Sequence, residues 1–135
     1  MKKIARLKGM TLTELLVVLA ILGILILLAF PRLNSLFGKT YSLEARTNLK
    51  YLAELQDKYF MEHFSYAQEF QKVGFDHNQL VSQENGVAHY QIEVVQASRE
   101  TFLARATAIT DFDGDGVFNV WEIDKNGIPR EVTPD

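Results

Sequence analysis

The residues best suited to chemistry in this chain are acidic, and the densest group lies near the C-terminus. Asp111, Asp113 and Asp115 alternate with other residues, a glycine follows at position six, and Glu122 is at position twelve. This is the spacing of a calcium loop: alternate acids converge on a hard cation, the glycine permits the turn, and the last glutamate can bind through both oxygens. The pattern predicts a Ca²⁺ site with ligands Asp111, Asp113, Asp115, the Val117 carbonyl and Glu122, and with Asn119 at the position often bridged by water.

A second interpretation of the same segment needs no metal. The residues on both sides have the alternation of strands rather than helices, so a helix-loop-helix calcium site is not expected. An Asp/Gly-rich turn could instead join two strands, with its carboxylates solvated or accepting backbone N–H groups. The sequence leaves these two interpretations open.

A long apolar segment follows a basic start. Residues 10–30 contain one acid and no base, and at about 1.5 Å per residue they span roughly 31 Å, the thickness of a bilayer core. The first nine residues hold four cations and no acid, which favours a cytoplasmic start. The segment is longer than the apolar region of a secretory signal and lacks a small-residue cleavage site after it. A single transmembrane helix is therefore predicted.

Glu14 lies about one turn inside this apolar segment. An ionised side chain costs about 2.5–3.5 kcal/mol at the centre of a membrane helix, and less near the interface. Either the carboxylate reaches the lipid headgroups, or it has a dedicated cationic partner.

The segment from Lys8 to Leu25, which reads KGMTLTELLVVLAILGIL, resembles the type IV prepilin family. In that family a short basic leader ends in glycine, and a glutamate stands five residues after the cleavage point, as Gly9 and Glu14 do here. Phenylalanine is the commoner first mature residue, and this chain has Met10. The resemblance is strong over the first third of the chain and extends to the rest only in outline.

The resemblance implies that a membrane-embedded prepilin peptidase cleaves after Gly9 and methylates the new α-amine of Met10. Glu14 would then pair with that amine, on its own chain or on the preceding subunit, since an unpaired buried carboxylate is strongly unfavourable. Gly23 and Pro31 fall where many members of the family have a helix glycine and a helix proline. Pro31 leaves a carbonyl one turn earlier without its partner, which predicts either a simple kink or a loss of helicity within the filament.

The resemblance also implies partners and a location. The chain would be held in the bacterial inner membrane by its single helix, with the leader cytoplasmic and the head periplasmic. An inner-membrane assembly platform would then bring it into a homo- or hetero-oligomeric filament with other pilins, as a pilus or a periplasmic filament.

The remaining sequence predicts an α+β fold, with one long N-terminal helix packed on a small antiparallel sheet of three or four strands. A mostly apolar helical stripe runs from Ala45 to His63, and the polar residues 67–86 are expected to form a loop. Strand-like alternation begins at Ala88, and a last hairpin is expected with strands at 117–123 and 128–132. The aromatic segment at the helix end also resembles pilins. The expected divisions are a leader at 1–9, a transmembrane helix at 10–33, its amphipathic continuation at 34–64 and a β-rich head at 65–135, with Tyr59, Phe60, Phe64 and Tyr66 in the core.

Composition excludes several classes of function. Beyond residue 9 the chain has 10 basic and 17 acidic residues, so nucleic-acid binding is not expected. There is no cysteine, which excludes disulfides and thiolate metal sites. No nucleophile elbow, phosphate-binding glycine loop, two-histidine metal motif or convincing acid–base pair indicates an enzyme. A type IV pilus subunit is the favoured interpretation; a type II secretion pseudopilin with a calcium-binding C-terminal loop and an anchored receptor that never assembles are the alternatives.

Overall fold

A computed structural model describes the backbone of residues 9–134 and the side chains of residues 9–29 and 38–134. Helix α1 has the bounds Leu12–His63. Within it, Leu12–Ala29 has a mean hydropathy of 2.8 and none of its residues is buried, so this stretch is long and apolar enough to cross a membrane. Of the described residues, 9–33 belong to one compact unit and 34–134 to a second.

In the second unit, α1 contributes one buried face. Ala45, Leu49, Leu52 and Gln56 are fully buried, and Ala53 is nearly so. The spacings of three and four residues place these side chains on one stripe of the helix, as the apolar periodicity predicts. Charged residues such as Arg46, Lys50 and Glu54 lie exposed outside this stripe, so this part of the helix is amphipathic.

The sheet contains four antiparallel strands in the order in which they occur along the chain. Strand β1 is Tyr90–Ala97, β2 is Phe102–Ala108, β3 is Val120–Asp124 and β4 is Arg130–Thr133. A short helix, α2, covers Phe70–Val73 between α1 and β1. The turn between β3 and β4 contains Gly127 at a φ of 71°, a left-handed conformation that glycine adopts without strain.

One hydrophobic core joins the buried face of α1 to the sheet. Alternate residues of β1 and of β2 point into this core, among them Tyr90 and Phe102, which are fully buried. Because the side-chain period of a strand is two, the intervening residues of β1 remain exposed. The predicted α+β class, with a long apolar helix and a small antiparallel sheet, is confirmed.

Two details differ from the sequence prediction. Residues 67–86, expected to form a loop, include α2. Phe64 was expected in the core but is 74% exposed, because its φ of 54° turns the chain at the end of α1. Its neighbours do link the helix to the sheet: the ring centroids are 4.8 Å apart for Phe60 and Tyr66, and 4.9 Å apart for Tyr66 and Phe102.

Candidate functional site

The N-terminus of α1 is closed by a reciprocal pair of hydrogen bonds. The Thr11 N–H donates to Glu14 Oε2 at 2.8 Å, and the Glu14 N–H donates to Thr11 Oγ1 at 3.3 Å. Thr11 Oγ1 also donates to Glu14 Oε2 at 2.9 Å. This is a capping box, in which a threonine before the helix and a glutamate three residues later each satisfy a backbone donor of the other. These bonds hold the Glu14 carboxylate against Thr11, the residue that follows Met10.

The predicted cleavage point lies immediately before this cap. Gly9 and Met10 are both exposed and precede the first residue of α1. A side-chain carbon at Gly9 would meet nothing within 4 Å, so the backbone is open on that side. The basic leader that precedes Gly9, residues 1–8, lies outside the described residues. Cleavage after Gly9 and methylation of Met10 stay predictions.

The structure describes Gly23 in full, but of Pro31 it describes only the backbone. Gly23 lies within α1, and a side-chain carbon there would meet nothing within 4 Å. The bounds of α1 include position 31, but the side chain of Pro31 lies outside the described residues. A kink, or a loss of helicity in an assembled filament, stays a prediction.

The structure brings together three of the predicted metal ligands. One carboxylate oxygen from each of Asp111, Asp113 and Asp115 lies within 4.8 Å of the other two. Gly114 and Gly116 have φ values of 85° and 87°, which allow the backbone to wrap around the Asp111 carboxylate. The Gly114 N–H donates to Asp111 Oδ1 at 2.6 Å, and the Gly116 N–H donates to Asp111 Oδ2 at 2.7 Å.

These backbone bonds act on the ionisation of Asp111. Hydrogen bonds from Gly116 and Gly114 favour the charged carboxylate and hold the pKa of Asp111 below its usual value. A carboxyl whose pKa is lowered by folding stabilises the fold above its unfolded pKa, and this contribution is lost as pH falls through the folded pKa. Loss of the loop conformation is therefore expected in acid.

The remaining predicted ligands are placed differently. The Val117 N–H donates to Asp115 Oδ1 at 2.7 Å, so Val117 remains part of the loop. Glu122 lies outside the group of three carboxylates. It belongs to β3 opposite Arg105 of β2, and its Oε1 accepts Arg105 Nε at 2.9 Å and Arg105 Nη2 at 2.7 Å. The pairing of β2 with β3 fixes Glu122 away from the loop, so the structure does not bring the twelfth ligand to the aspartates.

Two side chains that the sequence analysis did not assign to this role anchor the loop. The ring of Phe112 stacks on Tyr41 of α1, with 4.9 Å between the centroids. Asn119 is only 3% exposed; its Oδ1 accepts the Tyr90 hydroxyl at 2.7 Å, and its Nδ2 donates to Glu131 at 2.7 Å. Asn119 was expected near a water-bridged ligand position. The sequence analysis placed Asn119 inside a strand at 117–123, whereas β3 begins at Val120, and nothing in that pattern indicates the structural role of Asn119.

Two comparisons with known proteins bear on this chain. Residues 5–30 match the family model of the prokaryotic N-terminal methylation motif. Over 68 residues, which are 50% of this chain and 31% of the relative, the chain is 39% identical to the type IV major pilin protein PilA of Myxococcus xanthus (strain DK1622). The matched region thus spans about a third of that relative. Together the two matches confirm the predicted resemblance to the type IV prepilin family.

Proposed function

We propose that this chain, whose N-terminal segment is that of the type IV prepilin family, is a structural subunit of a type IV pilus. The observation that carries the proposal is the match of residues 5–30 to the methylation motif, which coincides with the start of an apolar helix of membrane length. The similarity to a type IV major pilin supports the same conclusion. In this role the chain is a building block and has no catalytic activity.

Cleavage and methylation of the leader junction create a cation that can pair with the Glu14 carboxylate. A prepilin peptidase cleaves after Gly9 and methylates the amine of Met10, leaving a cation four residues before Glu14. The capping box holds the Glu14 carboxylate next to Thr11, within reach of that amine on its own chain or on a neighbouring one. Because an unpaired carboxylate is costly in the membrane, pairing with a neighbour's amine favours entry into the filament.

The chain is held in the inner membrane before assembly, with its leader in the cytoplasm and its head in the periplasm. An assembly platform in the inner membrane then adds it to the filament. The pseudopilin of a type II secretion system is the second candidate, because such a subunit would use the same helix. Recovery of the chain in filaments sheared from the cell surface supports the pilus; its confinement to the periplasm favours the pseudopilin.

The aspartate loop is proposed to bind Ca²⁺ through Asp111, Asp113 and Asp115. Three carboxylates whose oxygens lie within 4.8 Å repel one another, and a hard divalent cation relieves that repulsion. The backbone bonds to these oxygens do not compete with a cation, since each carboxylate oxygen has a further lone pair. The Val117 carbonyl is the fourth ligand, and water completes the shell because Glu122 is paired with Arg105.

Calcium is expected to stabilise a soluble head made of residues 34–135. At 1 mM, about ten times a dissociation constant of order 10⁻⁴ M, a bound ion contributes roughly 1.4 kcal/mol and raises the melting temperature by about 5–10 °C. Asp113→Ala should abolish this rise. Glu93→Ala, which removes an exposed carboxylate from the outer face of the sheet, should leave the calcium-dependent rise unchanged. Thermal unfolding of each variant and of the wild-type head, with calcium and with a chelator, measures both effects. An equal calcium-dependent rise in the wild-type head and in Asp113→Ala would contradict the site.

A further inference from the structure

Residues 79–88, between α2 and β1, form a loop that is closed on itself by backbone hydrogen bonds. The Val81 N–H donates to the Ala88 carbonyl at 2.9 Å, and the Ala88 N–H donates to the Gln79 carbonyl at 3.0 Å. We call this segment the closed loop. Val81 and Val87 are exposed, whereas Ala88 at its end is buried in the head.

The closed loop has a tight backbone turn and is followed by a bond to α1. A side-chain carbon at Gly86 would lie 1.7 Å from the Leu80 carbonyl oxygen, so the two backbone segments pass closer than any larger residue allows. Immediately after the loop, the His89 N–H donates to Glu44 Oε1 of α1 at 2.9 Å. The loop therefore keeps its arrangement through a small number of backbone contacts.

His77 lies two residues before the closed loop and has a buried ring nitrogen. Its Nε2 is buried and has no hydrogen-bond partner among the described groups. The ring lies beside that of Phe75, a core residue, with 6.2 Å between the centroids. A neutral imidazole is suited to this position, because a protonated ring would add a buried N–H donor and a charge without a partner for either.

The charged groups that face His77 come from α1 and from its own segment. Burial lowers the pKa of His77 below its usual value, and the carboxylates of Glu44 and Asp76 oppose this shift without cancelling it. Among the described side chains, neither carboxylate forms an ion pair with His77. His89, at the end of the loop next to β1, is a second titratable residue, and its Nδ1 is likewise buried without a partner.

Protonation of His77 therefore works against the folded arrangement around it. A base whose pKa is lowered by folding stabilises the fold above its unfolded pKa, about 6.5 for histidine, and this contribution is lost as pH falls from there towards the folded pKa. A cleft of about 390 Å³, with Leu43 and Val87 in its walls, lies between α1 and this part of the chain. Local opening of the loop thus costs less than unfolding the head.

We infer that the closed loop is an acid-sensitive device: protonation of His77 opens residues 79–88 while α1 and the sheet stay folded. The inference concerns the head by itself and goes beyond its place in a filament. Phe75 and Ala88 are 7% and 2% exposed in the closed arrangement, so opening would uncover apolar surface beside them. Acid would then change the surface that the head presents to other molecules.

Hydrogen exchange of the full-length chain in detergent, read by mass spectrometry at pH 7.5 and pH 5.0, tests the opening. After correction for the intrinsic effect of pH, the amides of Val81 and Ala88 should lose protection by about threefold or more in acid. The Gly127 N–H, which donates to the Asp124 carbonyl in the turn between β3 and β4, should keep its protection. No acid-dependent loss in the closed loop, or an equal loss in both segments, would overturn the inference.

Substitution of single histidines identifies the group responsible. His77→Phe keeps an aromatic ring beside Phe75 but cannot be protonated, so the acid-dependent loss of protection should disappear. His63→Phe removes an exposed histidine at the end of α1 and should respond to acid as the wild type does. His77→Gln repeats the test with a polar side chain, and the melting temperature at pH 7.5 shows which variants are folded. An acid response that persists in a folded His77 variant would assign it to another group, such as His89, and overturn the role of His77.

Discussion

Replacing Glu14 with valine is expected to leave membrane insertion and leader cleavage intact while lowering filament yield to less than about a tenth of wild type. Valine removes a charge whose insertion costs up to about 2.5–3.5 kcal/mol, so the precursor should enter the membrane at least as well. The loss appears at assembly, since the amine of Met10 then has no carboxylate to pair with. Immunoblots of membranes and of sheared filaments measure the two steps separately.

A second variant separates the negative charge of Glu14 from its role in capping the helix. Glu14→Gln keeps a side chain that can accept the Thr11 N–H, so the helix cap survives while the negative charge is lost. Because charge is the property that assembly uses, Glu14→Gln should assemble as poorly as Glu14→Val. Thr13→Val, which places the same apolar side chain one residue earlier, should assemble normally. Normal filaments from Glu14→Gln would mean that Glu14 acts only as a cap.

The largest effect on the stability of the head is expected at Gln56. This side chain is fully buried; its Nε2 donates to the Ala67 carbonyl at 2.6 Å, and its Oε1 accepts the Ala67 N–H at 2.9 Å. Gln56→Leu leaves both buried backbone groups of Ala67 unpaired, at about 1–3 kcal/mol each. The free energy of unfolding should fall by about 2–4 kcal/mol and the melting temperature by roughly 10–20 °C.

Gln91→Leu provides the matched control, because Gln91 is an exposed residue of β1. The same chemical change at that position should alter the free energy of unfolding by no more than about 0.5 kcal/mol. Urea unfolding of the two variants and of the wild-type head gives the comparison directly. Equal stability of Gln56→Leu and Gln91→Leu would show that the bonds to Ala67 contribute nothing to the fold.

Periodic elements could be predicted from the sequence because their spacing is a local property. The apolar run after Glu14, the stripe from Ala45 along α1 and the alternation of β1 and β2 all rest on such spacing, and the structure has a helix or strand in each place. The small helix α2 has only four residues, too few to show a period, and was missed.

The tertiary partners of polar residues could not be predicted in the same way. The spacing of the calcium pattern placed Glu122 with the aspartates, but pairing of β3 with β2 sets it against Arg105. Gln56 fell on the apolar stripe, yet its partner Ala67 lies eleven residues away, beyond the end of the helix. Phe64 carries the type of side chain that cores contain, but the backbone turn at that residue exposes it. Each outcome depends on contacts between elements, which a one-dimensional pattern does not contain.

The most direct test of the central claim is the mass of the intact chain and of its N-terminal peptide, from cells with and without prepilin peptidase. A mature chain that begins at N-methylated Met10, found only where the peptidase is present, is the predicted result. A chain that begins at Met1 in both kinds of cell would contradict the claim, and the protein would then be an ordinary membrane-anchored protein.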